Sequence, residues 1–194
     1  MNFLKNIYIW TLKKAEHKNA KWYLSLISFA ESSFFPIPPD MLLIPMALAS
    51  KTKALFYAFI CTLSSVLGGI FGYAIGYFFF NSIGLYIVEF YHLENSFSIF
   101  ENYYKEFGIL IVLGAGITPF PYKFITIASG VFGLNIYLFV IVSIIGRGLR
   151  FYLIAILLYF FGEKIKLFID KYFNILSITF FILLVGSVFI IRFL

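Results

Sequence analysis

The chain has 194 residues, of which 62% are hydrophobic and 12% are charged, whereas soluble domains average about 45–50% apolar and about 25% charged residues. Uncharged apolar stretches longer than the roughly 20 residues needed to cross a bilayer recur along it. This composition excludes a disordered chain, a collagen-like chain and a small secreted scaffold, and it predicts an all-α integral membrane protein.

The formal net charge is +6, but most basic residues bracket apolar segments instead of gathering on one solvated face. We therefore expect them to set topology and to contact anionic lipid headgroups, and we predict no nucleic-acid partner. The two histidines, His17 and His92, and the single cysteine, Cys61, form no cluster with metal-ligand spacing. No metal or cofactor is predicted.

Segment 1–21 is predicted to be an amphipathic helix that lies on the membrane surface. Phe3, Ile7 and Trp10 recur at helical spacing, and two lysines follow. A cleaved signal peptide is not expected, because the apolar stretch is short and no small-residue cleavage site follows it.

Segment 22–50 is predicted to be a re-entrant hairpin of two half-helices. As a single helix it would measure about 43 Å, which exceeds a hydrocarbon core of about 30 Å. The break is expected at Pro36, Pro38 and Pro39, with the second half-helix starting at Asp40, because proline removes a backbone donor and clashes with the preceding turn. Lysines flank the segment on both sides, so both ends are predicted to be cytoplasmic.

Segment 54–80 carries no charge and is predicted to be a transmembrane helix. Its Gly68, Gly72 and Gly76 recur at four-residue spacing, which allows a neighbouring helix backbone to approach closely. Segment 81–106 holds four glutamates against one lysine. It is predicted to be a helix on the outer, non-cytoplasmic surface.

The second half of the chain repeats this pattern. Segment 107–134 is predicted to be a second re-entrant segment, broken at Gly114–Gly116 and again at Pro119 and Pro121. Segment 135–161 is predicted to be a second transmembrane helix.

The remaining segment, 163–194, is predicted to be a polar loop followed by a C-terminal transmembrane helix. The first broken segment is expected to enter from the cytoplasm and the second from outside, which predicts an inverted repeat. In secondary transporters such repeats bring two discontinuous helices together near the midplane, where they form the substrate site. The alternative is a plain helical bundle with two unrelated proline kinks.

Several charged residues fall at expected bilayer depth, where a charge costs about 2.5–3.5 kcal/mol. Glu31 and Asp40 flank the first break and are the candidates for proton coupling, with Glu31 favoured because it is desolvated. The alternative is that these charges only neutralise one another and hold a bundle together. For individual residues two further alternatives stay open: Arg150 packs structurally, or Asp40 only caps the second half-helix by accepting its free amide protons. The five residues are Glu31, Asp40, Lys123, Arg147 and Arg150.

The second break predicts an anion site. A half-helix that starts near Pro119 or Pro121 aims unpaired amide groups at the break, and these favour a negative charge. A threonine is placed to cap it, a lysine lies in its first turn, and two arginines three residues apart bring planar groups that match phosphate oxygens. The predicted lipid-phosphate site consists of Thr118, Lys123, Arg147 and Arg150.

Three motifs at these positions carry a resemblance to a known family. They are ESSFFPIPPD at 31–40, TPFPYK at 118–123 with Thr126 and Gly130 after it, and GRGLRF at 146–151. Together they resemble the DedA family of membrane proteins (the VTT or SNARE-associated Golgi protein domain), in its short YqaA-like branch. The resemblance covers 22–162.

The resemblance implies a polytopic inner-membrane protein with paired re-entrant loops. It implies functions in flipping of polyprenyl phosphate carriers, phospholipid scrambling and proton-dependent membrane homeostasis. Glu31 and Asp40 match acidic positions of the family at the first loop. At the second loop the better-studied branch carries two arginines six residues apart, where this chain has Ile117 and Lys123. One cation is therefore absent, and Arg147 or Arg150 is available to replace it.

The sequence thus predicts a lipid transporter, a proton-linked flippase or scramblase for a phosphate-bearing lipid in the bacterial inner membrane, with a cytoplasmic N-terminus. Two alternative functions stay open, a structural or assembly protein and a small-ion or solute transporter. Association into a homo-oligomer also stays open. An intramembrane enzyme is not expected, because no histidine lies in a predicted span and Asp40 is the only aspartate in one.

Overall fold

The structure is a computed structural model that describes residues 19–35, 37–90, 94–118, 120–162 and 164. The regular elements in these ranges are all helical. The predicted surface helix 1–21 lies outside the described residues except for its last three residues. The predicted C-terminal segment 163–194 lies outside them except for Lys164.

The described ranges contain seven α-helices. A 3-10 turn, Lys51–Lys53, precedes the third helix, and a π-helical turn, Phe80–Gly84, follows it. The α-helices are α1 Ala20–Ser33, α2 Asp40–Ala49, α3 Ala54–Phe79, α4 Leu85–Phe90, α5 Glu94–Ile117, α6 Tyr122–Val131 and α7 Ile136–Gly162.

Two of these helices are long and apolar enough to cross a membrane. They are α3 together with the turn before it, and α7, and each has a mean hydropathy of 1.9 over its most apolar window. They coincide with the predicted segments 54–80 and 135–161. The long apolar stretches of the sequence were therefore sufficient to locate both helices.

The first predicted break is present as a short irregular stretch between α1, which ends at Ser33, and α2, which begins at Asp40. Pro39 occupies the N-cap position of α2 with φ −65°, which suits the start of a helix. Of the other prolines predicted at the breaks, Pro38 and Pro121 are half-buried, and Pro36 and Pro119 lie outside the described residues.

The second broken segment begins later than the sequence predicts. Helix α5 runs without interruption across the expected boundary between 106 and 107 and through Gly114–Gly116. The predicted break at these glycines is therefore wrong. Glycine keeps its backbone N–H and costs a helix only about 1 kcal/mol, whereas proline removes the donor. The helix ends only at Ile117.

Helix α3 lies between the two broken segments and packs against both α1 and α6. A Cβ atom at Gly68 would overlap the Phe29 carbonyl of α1, and one at Gly76 would overlap the Ile127 carbonyl of α6. The predicted close approach at the α3 glycines is therefore confirmed.

The buried apolar side chains form two clusters. The first, which we name the α2 core, lies between α1, α2, α3 and α7 and includes Leu43, Cys61 and Phe151. The second, the α6 core, lies between α5, α6 and α7 and includes Val112 and Phe139. Since α7 contributes to both clusters, it connects the two broken segments.

Candidate functional site at the two helix breaks

Arg147 of α7 forms a buried ion pair with Glu31 of α1. Arg147 Nη2 lies 2.6 Å from Glu31 Oε2, and the two side chains are 1% and 12% exposed. Arg147 is also the largest fully buried side chain in the described part of the chain. A buried charge is tolerated when it is both paired and hydrogen-bonded, and the remaining contacts of this guanidinium meet that requirement.

One serine and two aromatic rings contact the Arg147 guanidinium. Its Nε donates to Ser65 Oγ of α3 at 2.6 Å, and the Ser65 and Ser32 hydroxyls share a further 2.6 Å hydrogen bond. The guanidinium carbon lies 4.9 Å from the centre of the Tyr122 ring and 4.7 Å from that of the Phe151 ring, within the range of cation–π attraction. One charged group is thus held by residues of α1, α3, α6 and α7.

Arg150 connects the two breaks to each other. Its Nη2 donates to Asp40 Oδ2, at the first residue of α2, and its Nη1 donates to the Thr118 carbonyl at the second break. The side chains of Arg150 and Asp40 are 14% and 18% exposed. The other carboxylate oxygen, Asp40 Oδ1, is buried and accepts no hydrogen bond from the described residues.

Both arginines lie near the middle of α7. They are three residues apart and therefore share a helix face. At a rise of 1.5 Å per residue, Arg147 lies about 17 Å from the start of a helix about 40 Å long. Ser65 lies at about the same distance from the start of α3. The charged groups thus lie halfway along both helices that are long enough to span a membrane.

The two broken segments touch directly at Thr126 of α6. Its hydroxyl oxygen lies 2.9 Å from the Ser32 carbonyl oxygen and 2.9 Å from the Lys123 carbonyl oxygen. Gly72 of α3 lies against this contact, since a Cβ atom there would overlap the Thr126 side chain and lie 3.1 Å from the Ser32 carbonyl oxygen. The missing side chain at Gly72 therefore allows the end of α1 to meet the start of α6.

Neither of the helix caps considered from the sequence forms. Pro39 and Pro121 occupy the N-cap positions of α2 and α6, and no side chain accepts a capping hydrogen bond at either. Asp40 is already the first helical residue and forms the ion pair described above. Thr118 Oγ1 donates to the Gly114 carbonyl at 2.8 Å, so it closes the helix before the break instead of opening the one after it. Both cap assignments are wrong.

Lys123 lies in the first turn of α6, as predicted, and is half-buried. Its Nζ lies 5.4 Å from the centre of the Phe124 ring. Among the described residues no carboxylate pairs with it. Since Glu31 and Asp40 each pair with an arginine, Lys123 gives the cluster a net positive charge.

Ile117, one of the two second-loop positions singled out from the sequence, is the last residue of α5 and is 40% exposed. The adjacent Thr118 carbonyl is the one that accepts from Arg150. A guanidinium from α7 therefore reaches the same loop that lacks its own arginine.

The uncharged half of this network was missed by sequence reasoning. Ser25, Ser28 and Ser32 recur on one face of α1, and each bonds to α3. Ser25 Oγ lies 2.7 Å from Ser64 Oγ, Ser28 Oγ donates to an α3 carbonyl at 2.8 Å, and Ser32 meets Ser65. Serines at three- and four-residue spacing in an apolar helix are a signal for close helix packing, and that signal was available.

The cluster contains two carboxylates, which can accept and release protons. It also contains three cations, which can attract an anion. No group of His, Cys, Asp and Glu residues in the described ranges could hold a metal ion. Proton exchange and anion binding are therefore the chemistry that these side chains support best.

Over its whole length the chain is similar to a protein of Haemophilus influenzae. The two are 34% identical over 192 residues, which is 99% of this chain and 100% of that protein. The chain belongs to this protein's family. A second member, from Histophilus somni and described as an HI0703 homolog, is 34% identical over 167 residues, 84% of this chain and 85% of that protein. Both members of the family are described as uncharacterized. No family model and no solved structure matches the chain.

Proposed function

We propose that the protein is an integral membrane lipid transporter, a proton-linked flippase or scramblase for a phosphate-bearing lipid such as polyprenyl phosphate or a phospholipid. One observation carries the proposal: the Glu31–Arg147 and Asp40–Arg150 ion pairs lie where two broken segments meet, halfway along two apolar helices. The resemblance to the DedA family supports the same class of function.

The membrane location is supported by the outer faces of α3 and α7. Large apolar side chains such as Leu63, Phe71 and Leu153 are about half exposed there, and an apolar surface of that extent needs lipid or a partner to cover it. We infer a cytoplasmic N-terminus, because lysines flank the first broken segment, and a bacterial inner membrane, because the resemblance to the DedA family implies one.

A sidedness experiment tests this topology and the re-entrant hairpin together. Single cysteines at Asn19 and Lys51, in a Cys61→Ala background, are expected to react with a membrane-impermeant thiol reagent from the cytoplasmic side. A cysteine at Glu101 is expected to react from the opposite side. Labelling of positions 19 and 51 from opposite sides would contradict a re-entrant first segment.

A transport role explains why charges are retained at this depth. Replacing a buried ion pair by apolar side chains is often neutral or stabilising, so stability alone does not require Arg147 and Arg150. Ionisable residues within membrane helices typically mark substrate or proton pathways. Broken backbone at membrane depth is tolerated where it is buried in protein or lines a water-filled cavity.

The phosphate specificity rests on Lys123 and Arg150. Lys123 has no carboxylate partner among the described residues, and Arg150 keeps 14% of its side chain exposed. The Arg147 guanidinium, by contrast, is occupied by Glu31 and Ser65. In this conformation we therefore assign the first contact with a lipid phosphate to Lys123, with Arg150 beside the same loop.

A structural or assembly role is the second candidate, and the enclosure of Arg147 favours it. A guanidinium that is 1% exposed and packed between two rings fits a structural role in helix packing as well as it fits a role in transport. The two candidates differ in whether lipid moves between leaflets.

The discriminating experiment is a leaflet-resolved transport assay in proteoliposomes, run with polyprenyl phosphate and with fluorescent phospholipids. We expect movement of at least one of these lipids, with loss of rate in Lys123→Ala and retention in Lys123→Arg. Lys105→Ala is the matched control, because Lys105 is an exposed lysine paired with Glu101. No movement of either lipid by the folded protein would favour the structural role, and flux of a small ion or solute alone would favour the third alternative.

A further inference from the structure

The two ion pairs at the breaks are built differently. Arg147 is 1% exposed and is held by Glu31, by Ser65 and by two rings. Arg150 is 14% exposed, and its two hydrogen bonds go to Asp40 and to a loop carbonyl. The Arg147 guanidinium is therefore held by side chains of three other helices, whereas the Arg150 guanidinium is held by one carboxylate and one loop carbonyl.

The Asp40 carboxylate is also incompletely satisfied. Its Oδ2 accepts from Arg150, but its Oδ1 is buried and has no hydrogen-bond partner among the described residues. A buried acceptor without a donor destabilises the conformation that contains it. A conformation that gives Oδ1 a hydrogen-bond donor therefore offsets part of the cost of separating this pair. The Glu31 oxygen that meets Arg147, by contrast, also accepts from Ser32 at 3.1 Å.

From this asymmetry we propose that Asp40, Arg150 and the Thr118 carbonyl form a latch that opens during transport, while Glu31 and Arg147 stay joined as a fixed anchor. The inference rests on the proposed transport function and assigns the moving part of that site. Opening the latch separates α2 from α7 and from the second loop. It also frees the Arg150 guanidinium beside the loop that leads to Lys123, where an anionic group can bind.

Cys61 provides a native reporter for this opening. It is the single cysteine of the chain and is fully buried in the α2 core, where Leu43 of α2 and Phe151 of α7 also lie. Its carbonyl accepts from Ser28 Oγ of α1, one turn before Glu31, at 2.8 Å, which places it close to the end of α1 as well as to α2 and α7. Separation of α2 from α7 is therefore expected to expose Cys61 to small reagents.

The experiment measures the modification rate of Cys61 by methyl methanethiosulfonate, an uncharged reagent, in proteoliposomes of the full chain. Because the rate follows the population of the open state, we expect Asp40→Asn and Arg150→Gln each to raise it about tenfold or more. The double variant is expected to react no faster than the faster single variant, since both changes open the same latch. Glu31→Gln is expected to lower thermal stability but to leave the Cys61 rate near that of the wild type.

A second reporter separates local opening from general loosening. Val112 is fully buried in the α6 core, so Val112→Cys in a Cys61→Ala background reports on the other side of the molecule. We expect Asp40→Asn to leave the rate at position 112 unchanged. An equal rise at both positions would mean that the variant loosens the whole fold, and it would overturn the latch.

The outcomes for the latch and for transport are distinguishable, because labelling reads a conformation and the lipid assay reads movement. Unchanged Cys61 rates in both Asp40→Asn and Arg150→Gln would overturn the latch, as would a Glu31→Gln variant that exposes Cys61 equally while folded. Faster labelling with unaltered lipid transport would also overturn it, because the opening would then lie outside the cycle. Latch opening in a wild-type protein that moves no lipid would refute the proposed function alone.

Discussion

Removal of one partner of the Glu31–Arg147 pair is expected to be far more destabilising than removal of both. Arg147→Met leaves the Glu31 carboxylate, 12% exposed, without its cation. Breaking a buried pair in this way typically costs about 3–5 kcal/mol. Glu31→Gln keeps a neutral acceptor for the guanidinium, but it leaves the Arg147 charge, 1% exposed, without its anion, so it is expected to cost about 3 kcal/mol, the lower end of the same range.

The double variant Glu31→Gln, Arg147→Met carries no buried charge at this position and is expected to be more stable than Arg147→Met alone. The difference between the double variant and the sum of the singles is the coupling energy of the pair, expected at about 3 kcal/mol, the upper end for residues in contact. Unfolding of the four proteins in mixed detergent micelles, followed by circular dichroism, gives each free energy of unfolding.

The chain offers a matched control in Glu101 and Lys105, whose charged atoms lie 2.7 Å apart, nearly the same separation, while their side chains are 36% and 64% exposed. The same cycle there, with Glu101→Gln and Lys105→Met, is expected to show coupling of no more than about 0.5 kcal/mol, because water screens the pair. Equal coupling at the two sites, or an Arg147→Met variant within about 1 kcal/mol of the wild type, would refute the argument that burial makes the inner pair strong.

Three further outcomes follow from the packing. Gly76→Ala is expected to lower the melting temperature markedly, since its Cβ atom would overlap the Ile127 carbonyl. Gly114→Ala, whose Cβ atom would meet nothing within 4 Å, should stabilise α5 by up to about 1 kcal/mol. A similar effect of the two changes on stability would contradict this reasoning. Asn135→Ala should cost about 0.5–2 kcal/mol in unfolding free energy, because Asn135 Oδ1 accepts from two amides of α7 at 3.0 and 3.2 Å; no measurable loss would show that the cap contributes nothing. Lys123→Ala should leave thermal stability nearly unchanged, since Lys123 has no carboxylate partner among the described residues, and a large loss would make it a structural residue.

The helices and the first break could be predicted because each depends on a local property of the sequence. Charge-free stretches locate α3 and α7, and proline chemistry places the start of α2 at Asp40. The importance of the buried charges follows from their cost alone. The uninterrupted course of α5 through Gly114–Gly116 was missed, because two glycines look like a break unless the cost of glycine in a helix is set against that of proline.

The pairing of the charges could not be read from the sequence. Either carboxylate could have met either arginine, since Arg147 and Arg150 share one face of α7. Which arginine meets which carboxylate depends on the position of α7 along its own axis relative to the neighbouring helices. A Cβ atom at Gly116 of α5 would lie 3.1 Å from the Gly146 Cα of α7. The two helices thus cross in close contact one residue before Arg147, and this contact fixes the axial position of α7. Such a contact depends on two helices packing together, which no local pattern encodes.

The sequence separation within the two ion pairs has a consequence for biosynthesis. Glu31 and Arg147 are 116 residues apart, and Asp40 and Arg150 are 110 residues apart. At about 5–20 residues per second, each carboxylate leaves the ribosome roughly 6–23 s before its arginine. Because an uncompensated charge at mid-membrane is costly, the first hairpin would reach its final depth only after α7 has been synthesised. In a membrane, the first broken segment would therefore settle after α7, although it is synthesised before it.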